Sequence, residues 1–210
     1  MTARIILARH GNTFAPMEEP VWVGARTDLP LTEKGLSQAE NLGNAVASSY
    51  KELNAIYSGP LLRTKRTAEI VAQHLRLSEQ SIKIDDRLTE IDYGLWEGLA
   101  TPAIIAMYGE TEISAWNEDS VFPTTPGWKP EASQISANID GILSETTSGV
   151  SLAVTSNGIL RFFAKASKNC GEFPRHKVAT GNICIMDRTE QGIWQIVAWD
   201  APPETLIKHK

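Results

Sequence analysis

The sequence contains little cysteine and lacks several features that would place it outside ordinary globular proteins. Its 210 residues include only 2 cysteines, Cys170 and Cys184, and no CxxC pair. This composition excludes a disulfide scaffold, and together with 4 widely separated histidines it argues against a structural zinc site. No apolar run approaches the roughly 18 residues of a membrane span. The GxGxxG, GxxxxGK[ST] and GxSxG motifs are also absent, so the enzyme classes that depend on them have no support.

Positive charge is scarce as well. Lysine and arginine total 20 against 25 aspartates and glutamates, for a formal net charge of −5. We therefore expect neither a nucleic-acid binder nor a protein that docks on anionic membranes. An anion can still be bound, but only in a local pocket that concentrates a few of the arginines. The short apolar run near the N-terminus does not resemble a signal peptide, so we expect a reducing, cytoplasmic location.

The length and the 42% hydrophobic content predict a single domain over residues 1–210. Apolar strands alternate with segments of helical periodicity, a pattern typical of an α/β fold with a mostly parallel central sheet. Thr32 is the predicted N-cap of the first helix. The predicted strands are residues 5–8, 55–57, 82–84, 150–155, 178–186 and 193–199, and the main predicted helices are residues 32–53, 61–74 and 159–166.

The middle of the chain is predicted to be an insert, or lid, at about residues 99–148. This segment is helical at both ends and has a turn-rich centre at residues 120–130. Three aromatic residues lie in it, namely Trp116, Phe122 and Trp128. They are expected either to line the mouth of a site or to serve as packing residues.

Three of the apolar strands end in polar residues at a glycine-containing turn. These turns are residues 9–11 (RHG), residues 58–60 (SGP, followed by Arg63) and residues 156–158 (SNG). Ligands of open α/β sheets bind at the carboxyl ends of the strands, where helix N-termini also favour anions. Arginine suits this position because its planar fork matches phosphate oxygens. Each feature alone is more often a surface loop, a solvated helix face or an ordinary turn than part of a site, so the prediction depends on their combination.

The combination resembles the histidine phosphatase superfamily, which includes the phosphoglycerate mutases. Residues 7–13 (LARHGNT) are similar to its Arg-His-Gly signature, and three further segments follow in the family's order: residues 28–35 (DLPLTEKG), 57–69 (YSGPLLRTKRTAE) and 86–98 (DRLTEIDYGLWEG). The resemblance covers nearly the whole chain. It implies the three-layer α/β/α fold of the phosphoglycerate mutases, with a mostly parallel sheet.

The resemblance also implies a two-step phosphoryl transfer through a phosphohistidine. His10 would be the nucleophile, Arg9 and Arg63 would clamp the phosphate, and Glu90 would protonate the leaving oxygen. Neutral imidazole is a good nucleophile at pH 7, and a partly protonated carboxyl group assists the departure of an alkoxide. This chemistry requires no metal and no cofactor, in keeping with the absence of a metal-ligand pattern in the sequence.

Three positions depart from the family pattern. Asn157 stands where the family has a second histidine, Asn12 where many members have glutamate, and Pro16 where several members have a phosphate-contacting asparagine. The amide of Asn157 can still bind phosphate as a hydrogen-bond donor, but it carries no positive charge.

The segment around residues 95–98 (LWEG) is more similar to the phosphatases than to the mutases. We therefore expect a metal-independent phosphomonoesterase that acts on a small phosphorylated metabolite and accepts inorganic phosphate or other oxyanions. Two alternatives remain: a phosphoglycerate mutase-type transfer, and a weakly active or non-catalytic phosphate-binding relative. The sequence indicates neither the substrate nor the oligomeric state.

Overall fold

The computed structural model describes residues 2–124, 127–173 and 176–209. Within these ranges, the strands form a six-stranded sheet of order β3-β2-β6-β1-β7-β8 and a two-stranded sheet of β4 and β5. The strands are β1 Ala3–Arg9, β2 Ala55–Ser58, β3 Ile82–Ile84, β4 Asp92–Tyr93, β5 Trp128–Lys129, β6 Gly149–Thr155, β7 Ile183–Arg188 and β8 Trp194–Ala201.

The predicted α/β fold with a mostly parallel sheet is confirmed. Strands β3, β2, β6 and β1 run parallel, whereas β7 is antiparallel to both β1 and β8. The helices are α1 Glu33–Ser49, α2 Leu62–His74, α3 Thr101–Tyr108, α4 Glu110–Asp119, α5 Ala132–Glu145 and α6 Asn157–Lys165. None of the helices in the described ranges combines the length and apolar character that crossing a membrane requires.

Each face of the sheet packs against helices, and a hydrophobic core lies between the sheet and the helices on each side. Alternate residues of β1 point to opposite sides, as the strand period requires. Ile6 packs with residues of α1 and α2, while Ile5 and Leu7 pack with α5, α6 and the aromatic residues of the middle segment. This arrangement gives the three layers that the sequence predicted.

The register of the parallel strands brings the three predicted turns to one edge of the sheet. Arg9 at the end of β1 pairs with Thr155 at the end of β6, and Ser58 at the end of β2 pairs with Val154. Because β6 lies between β1 and β2, the residues that follow all three strands emerge side by side.

Some predicted boundaries were wrong. The first helix ends at Ser49 rather than near Leu53, because Tyr50 is already extended with φ −133°. The strand predicted for residues 178–186 begins at Ile183 and runs to Arg188. Residues 176–182 instead form an irregular segment beside the carboxyl ends of the strands. The N-cap prediction for Thr32 is confirmed, since its hydroxyl accepts the backbone N–H of Gly35 at 3.2 Å.

Candidate active site

The end of β1 carries two of the predicted site residues. The Nη1 atom of Arg9 donates to the carbonyl of Val178 at 2.6 Å, which directs the guanidinium along the carboxyl edge of the sheet. His10 follows and is buried, and its Nδ1 lies 2.7 Å from its neighbour's carbonyl, that of Gly11. A carbonyl oxygen can only accept a hydrogen bond, so Nδ1 carries the proton and Nε2 carries the lone pair of the neutral ring.

Two glycines allow this turn to pack tightly against the start of α1. A Cβ atom on Gly11 would lie 2.2 Å from the carbonyl oxygen of Gly35, and one on Gly35 would lie 2.1 Å from that of Asn12. Neither position has room for a side chain. Glycine is therefore needed at Gly11 and Gly35, because the two backbones approach too closely for any side chain.

Arg63 lies in the first turn of α2, and the backbone of residues 24–27 fixes its guanidinium. Nη1 donates to the carbonyl of Thr27 at 2.9 Å and Nη2 to that of Gly24 at 3.1 Å. Its side chain is fully buried. Burial lowers the pKa of Arg63, but arginine stays cationic in proteins, so a fixed positive charge results.

Glu90 is held by two backbone donors from different parts of the chain. Its carboxylate accepts the N–H of Ile91 at 2.9 Å and the N–H of Gly158 at 3.2 Å. Burial raises the pKa of Glu90 above its ordinary value, against the opposing influence of these donors and of Arg63 and Arg9. A carboxyl group with a raised pKa keeps its proton to a higher pH than a solvated glutamate does.

Position 158 also has no room for a side chain, so glycine is required there. A Cβ atom there would lie 2.4 Å from Oε1 of Glu90 and 2.8 Å from the hydroxyl of Tyr93. The first turn of α6 therefore packs directly on the carboxyl group of Glu90. The Asn157-Gly158 pair, which the sequence presents as an ordinary turn, forms the start of a helix that supports the site.

Asn157 is the first residue of α6, and its orientation is fixed by one hydrogen bond. The backbone N–H of Val178 donates to its side-chain oxygen at 2.8 Å. Because a backbone N–H can only donate, this bond identifies the oxygen and leaves the two N–H groups of the amide for the pocket. Asn157 therefore contributes a neutral donor to the cavity, and its correspondence with the second histidine of the family pattern stays a prediction.

A cavity of about 400 Å³ opens at this edge of the sheet. Arg9, Glu90 and Asn157 are among the residues that line it. His10 and Arg63 are not among its lining residues, but Arg63 is near enough to both Glu90 and His10 for its charge to act on them. Burial lowers the pKa of His10 well below its ordinary value, and the charges of Arg9 and Arg63 lower it further. The structure thus brings together all five residues that the sequence singled out.

The cavity also contains residues that sequence reasoning missed or left open. Arg161 and Lys177 line it, and neither was singled out. The signal for Arg161 was its position four residues after Asn157, which places the two on the same face of α6. Tyr93 lines the cavity next to Glu90, and burial together with the Glu90 charge raises its pKa well above the ordinary value.

The three aromatic residues of the middle segment have different positions. Trp116 lines the cavity and is also buried. Trp128 packs behind it with a ring-centroid distance of 4.9 Å, and Phe122 packs on Trp128 at 5.0 Å. In the part of the chain that the structure describes, no group of three or more His, Cys, Asp or Glu side chains is placed to hold a metal ion.

Comparisons with known proteins identify relatives of this chain. The chain is 29% identical over 116 residues to a 2,3-bisphosphoglycerate-dependent phosphoglycerate mutase of Azorhizobium caulinodans, covering 55% of each protein. It is 35% identical over 116 residues to the sedoheptulose 1,7-bisphosphatase of Saccharomyces cerevisiae, covering 51% of this chain and 42% of the relative. The chain therefore spans about half the length of the curated relatives it matches.

A solved structure extends the likeness to the whole fold. The native mycobacterial glucosyl-3-phosphoglycerate phosphatase superposes with a TM-score of 0.76 at 18% identity, covering 95% of this chain and 99% of that one. That phosphatase has also been solved with inorganic phosphate and with VO3. At this identity the likeness establishes the fold. A model of the histidine phosphatase superfamily (branch 1) matches residues 5–202, and the chain therefore belongs to that family.

Proposed function

We propose that this protein is a metal-independent phosphomonoesterase that acts through a phosphohistidine on a small phosphorylated metabolite. One observation carries the proposal: His10 is buried, neutral and hydrogen-bonded through Nδ1, beside two fixed arginines and a carboxyl group of raised pKa. Each group matches a requirement of phosphoryl transfer, which depends on positioning and on countering charge. The phosphatases and mutases among the relatives support the same chemistry.

In the first step, the Nε2 lone pair of His10 attacks phosphorus while Arg9 and Arg63 bind the equatorial oxygens. The P–O bond to the alcohol breaks as the N–P bond forms. Glu90 gives its proton to the leaving oxygen, so the alcohol departs neutral and Glu90 becomes a carboxylate. The Nδ1 proton of His10 stays on its hydrogen bond to Gly11 and spreads the positive charge of the phosphorylated ring.

In the second step, water attacks the phosphohistidine and the N–P bond breaks. The Glu90 carboxylate takes one proton from the attacking water, which restores the carboxyl group for the next cycle. Neutral His10 is restored and inorganic phosphate leaves. Asn157 holds one phosphate oxygen through its amide in both steps.

The proposal includes the organisation of the chain around this site. Residues 1–210 form a single domain, in which residues 99–148 are the insert or lid that shapes the substrate site. The contribution of Thr101, Trp116 and Asn117 to the cavity wall supports this role. We also propose a cytoplasmic location, supported by the free state of Cys170 and Cys184.

The test is hydrolysis of p-nitrophenyl phosphate by the wild type, by His10→Ala and by His74→Ala. His74 is a matched control, because it lies at the opposite end of α2 from Arg63, pairs with Glu40 and is not among the residues that line the cavity. We expect activity in the wild type and in His74→Ala, inhibition by vanadate, and no effect of a metal chelator. Activity that a chelator abolishes and magnesium or zinc restores would contradict the mechanism, as would full activity of His10→Ala.

A mutase is the second candidate, because the first curated relatives are phosphoglycerate mutases. The same active site would then return the phosphoryl group to a second hydroxyl instead of to water. Activation by a bisphosphoglycerate, with phosphoglycerate isomerised faster than it is hydrolysed, would favour this candidate over the phosphatase. A phosphate-binding protein without turnover, the third alternative, would bind vanadate or phosphate but hydrolyse no ester.

A further inference from the structure

Arg161 is a buried cation whose hydrogen-bond partners are all neutral. Its side chain is 1% exposed, and Nη1 donates to the carbonyl of Trp116 at 2.6 Å and to the hydroxyl of Ser120 at 3.1 Å. The guanidinium carbon lies 4.6 Å from the centroid of the Trp116 ring. Among the described residues, Nε is buried without a hydrogen-bond partner.

The cavity as a whole has an excess of positive charge. Arg9, Arg161 and Lys177 line it and Arg63 lies beside it, whereas Glu90 is the acidic residue in its wall. Within the described ranges, none of these four cations forms a direct ion pair with a carboxylate. Glu90 offsets only part of this charge, and burying cations in excess of their counter-charges is costly, so the cavity favours a negatively charged ligand.

One phosphate group does not use all of these cations. In the proposed mechanism, the transferring phosphate is bound by Arg9 and Arg63 at His10. Arg161 lies one helical turn beyond Asn157, and Lys177 immediately precedes Val178, whose N–H bonds to Asn157. Both cations therefore line the cavity near Asn157, and the proposed mechanism leaves both of them unused by the transferring phosphate.

We propose that Arg161 and Lys177 form a second anion subsite, so that the preferred substrate is a small phosphomonoester with a second anionic group. A carboxylate and a second phosphate both supply the required chemistry. Arg161 forms the buried wall of the subsite, and exposed Lys177 forms its rim. This inference rests on the proposed phosphatase function and specifies the substrate class of the same site.

Three esters with a common three-carbon skeleton test the subsite: glycerol 1-phosphate, 3-phosphoglycerate and propane-1,3-diyl bisphosphate. In the wild type we expect kcat/KM to be about tenfold to a hundredfold higher for the two charged-tail esters, as is typical of a hydrogen bond to a charged partner. The ratio between these two esters identifies whether the carboxylate or the second phosphate is preferred. Equal kcat/KM for all three esters would overturn the proposal.

Substitutions at Lys177 and Arg161 test whether these two residues cause the preference for charged-tail esters. Lys177→Gln should lower the charged-to-neutral ratio of kcat/KM by about threefold to tenfold, since water and salt screen the exposed ammonium. Lys168→Gln removes the same charge from an exposed position outside the cavity and should leave the ratio unchanged. Arg161→Lys keeps the positive charge but loses the planar guanidinium group, whereas Arg161→Gln loses both. The charged-to-neutral ratio of kcat/KM should therefore fall in Arg161→Lys and fall more in Arg161→Gln. A ratio unchanged in Lys177→Gln and Arg161→Lys would refute the assignment, even if Arg161→Gln does not fold.

Failure of the phosphatase proposal gives a different result from failure of the subsite. If the wild type hydrolyses none of the three esters, the phosphatase is wrong, and titration calorimetry with the same esters decides about the subsite. Tighter binding of 3-phosphoglycerate or the bisphosphate than of glycerol 1-phosphate supports it. Hydrolysis or binding that ignores the charge of the tail overturns it.

Discussion

Replacing Asn157 by histidine tests how the site handles charge at the start of α6. The side-chain oxygen of Asn157 accepts the N–H of Val178 at 2.8 Å. In Asn157→His, ring nitrogen Nδ1 can accept this same N–H, which leaves Nε2 to carry a proton into the pocket. The substitution therefore keeps the anchoring bond and changes a neutral donor into one that can become charged.

The size of the effect follows from the two kinds of donor. A hydrogen bond with a charged partner contributes about 1.5–3 kcal/mol, against about 1 kcal/mol for a neutral pair. The difference of about 0.5–2 kcal/mol corresponds to a roughly two- to thirtyfold change in rate. Arg9 and Arg161 oppose protonation of the new histidine in the empty cavity, just as Arg9 and Arg63 lower the pKa of His10. The charge therefore forms mainly when the phosphate is bound, and we expect a gain in kcat rather than in affinity.

The assay is steady-state hydrolysis of p-nitrophenyl phosphate by wild type, Asn157→His and Asn157→Asp over about pH 5.5 to 8, the range in which histidine titrates. Asn157→Asp is nearly isosteric and also keeps an oxygen for Val178, but its negative charge should repel phosphate and lower kcat/KM. Asn157→His should be faster than the wild type, most clearly at low pH. A wild type that is faster than Asn157→His at every pH would refute the reasoning, and Asn157 would then be adapted to the substrate.

Three further predictions concern the groups around Asn157. His10→Ala should abolish turnover and acid-labile phosphoryl labelling while leaving the far-ultraviolet circular dichroism and the melting temperature close to wild type, and retained labelling would contradict the nucleophile. The lowered pKa of His10 keeps it neutral and active at mildly acidic pH, whereas Glu90 must be protonated, so kcat should fall as pH rises through the raised pKa of Glu90. Glu90→Gln should lower kcat by about 10²–10⁴-fold and remove this fall, as measured by a pH–rate profile. Gly158→Ala should lower the free energy of unfolding by about 1–3 kcal/mol and displace the Glu90 carboxyl group, because the added methyl group has no space. A denaturant titration measures the stability and a rate assay measures kcat. If both are unchanged, the helix adapts and the prediction is wrong.

The sequence by itself determined the fold class, and it predicted five site residues that the structure brings to the same edge of the sheet. Alternating apolar strands and periodic helices fix the order of elements, because hydrophobic periodicity is a local property of the chain. Short local segments likewise sufficed to single out five residues: Arg9, His10, Arg63, Glu90 and Asn157. What a segment cannot show is which other segment packs on it. The strand predicted to begin at residue 178 is an example, because it begins only at Ile183, and the backbone of Val178 bonds instead to Asn157 and Arg9.

The tertiary structure decided the properties that depend on neighbours distant in sequence. Glu90 has a raised pKa because the body of the protein buries it, and its donor from Gly158 lies 68 residues away. The tautomer of His10 follows from a single backbone carbonyl, that of Gly11. From the sequence, Arg161 is one of many charged residues, whereas the structure shows it buried in the cavity wall with no direct ion pair among the described residues. Burial and long-range proximity are collective properties of the packed chain, so the charge balance of the site emerged only when strands β1, β2 and β6 brought their ends together.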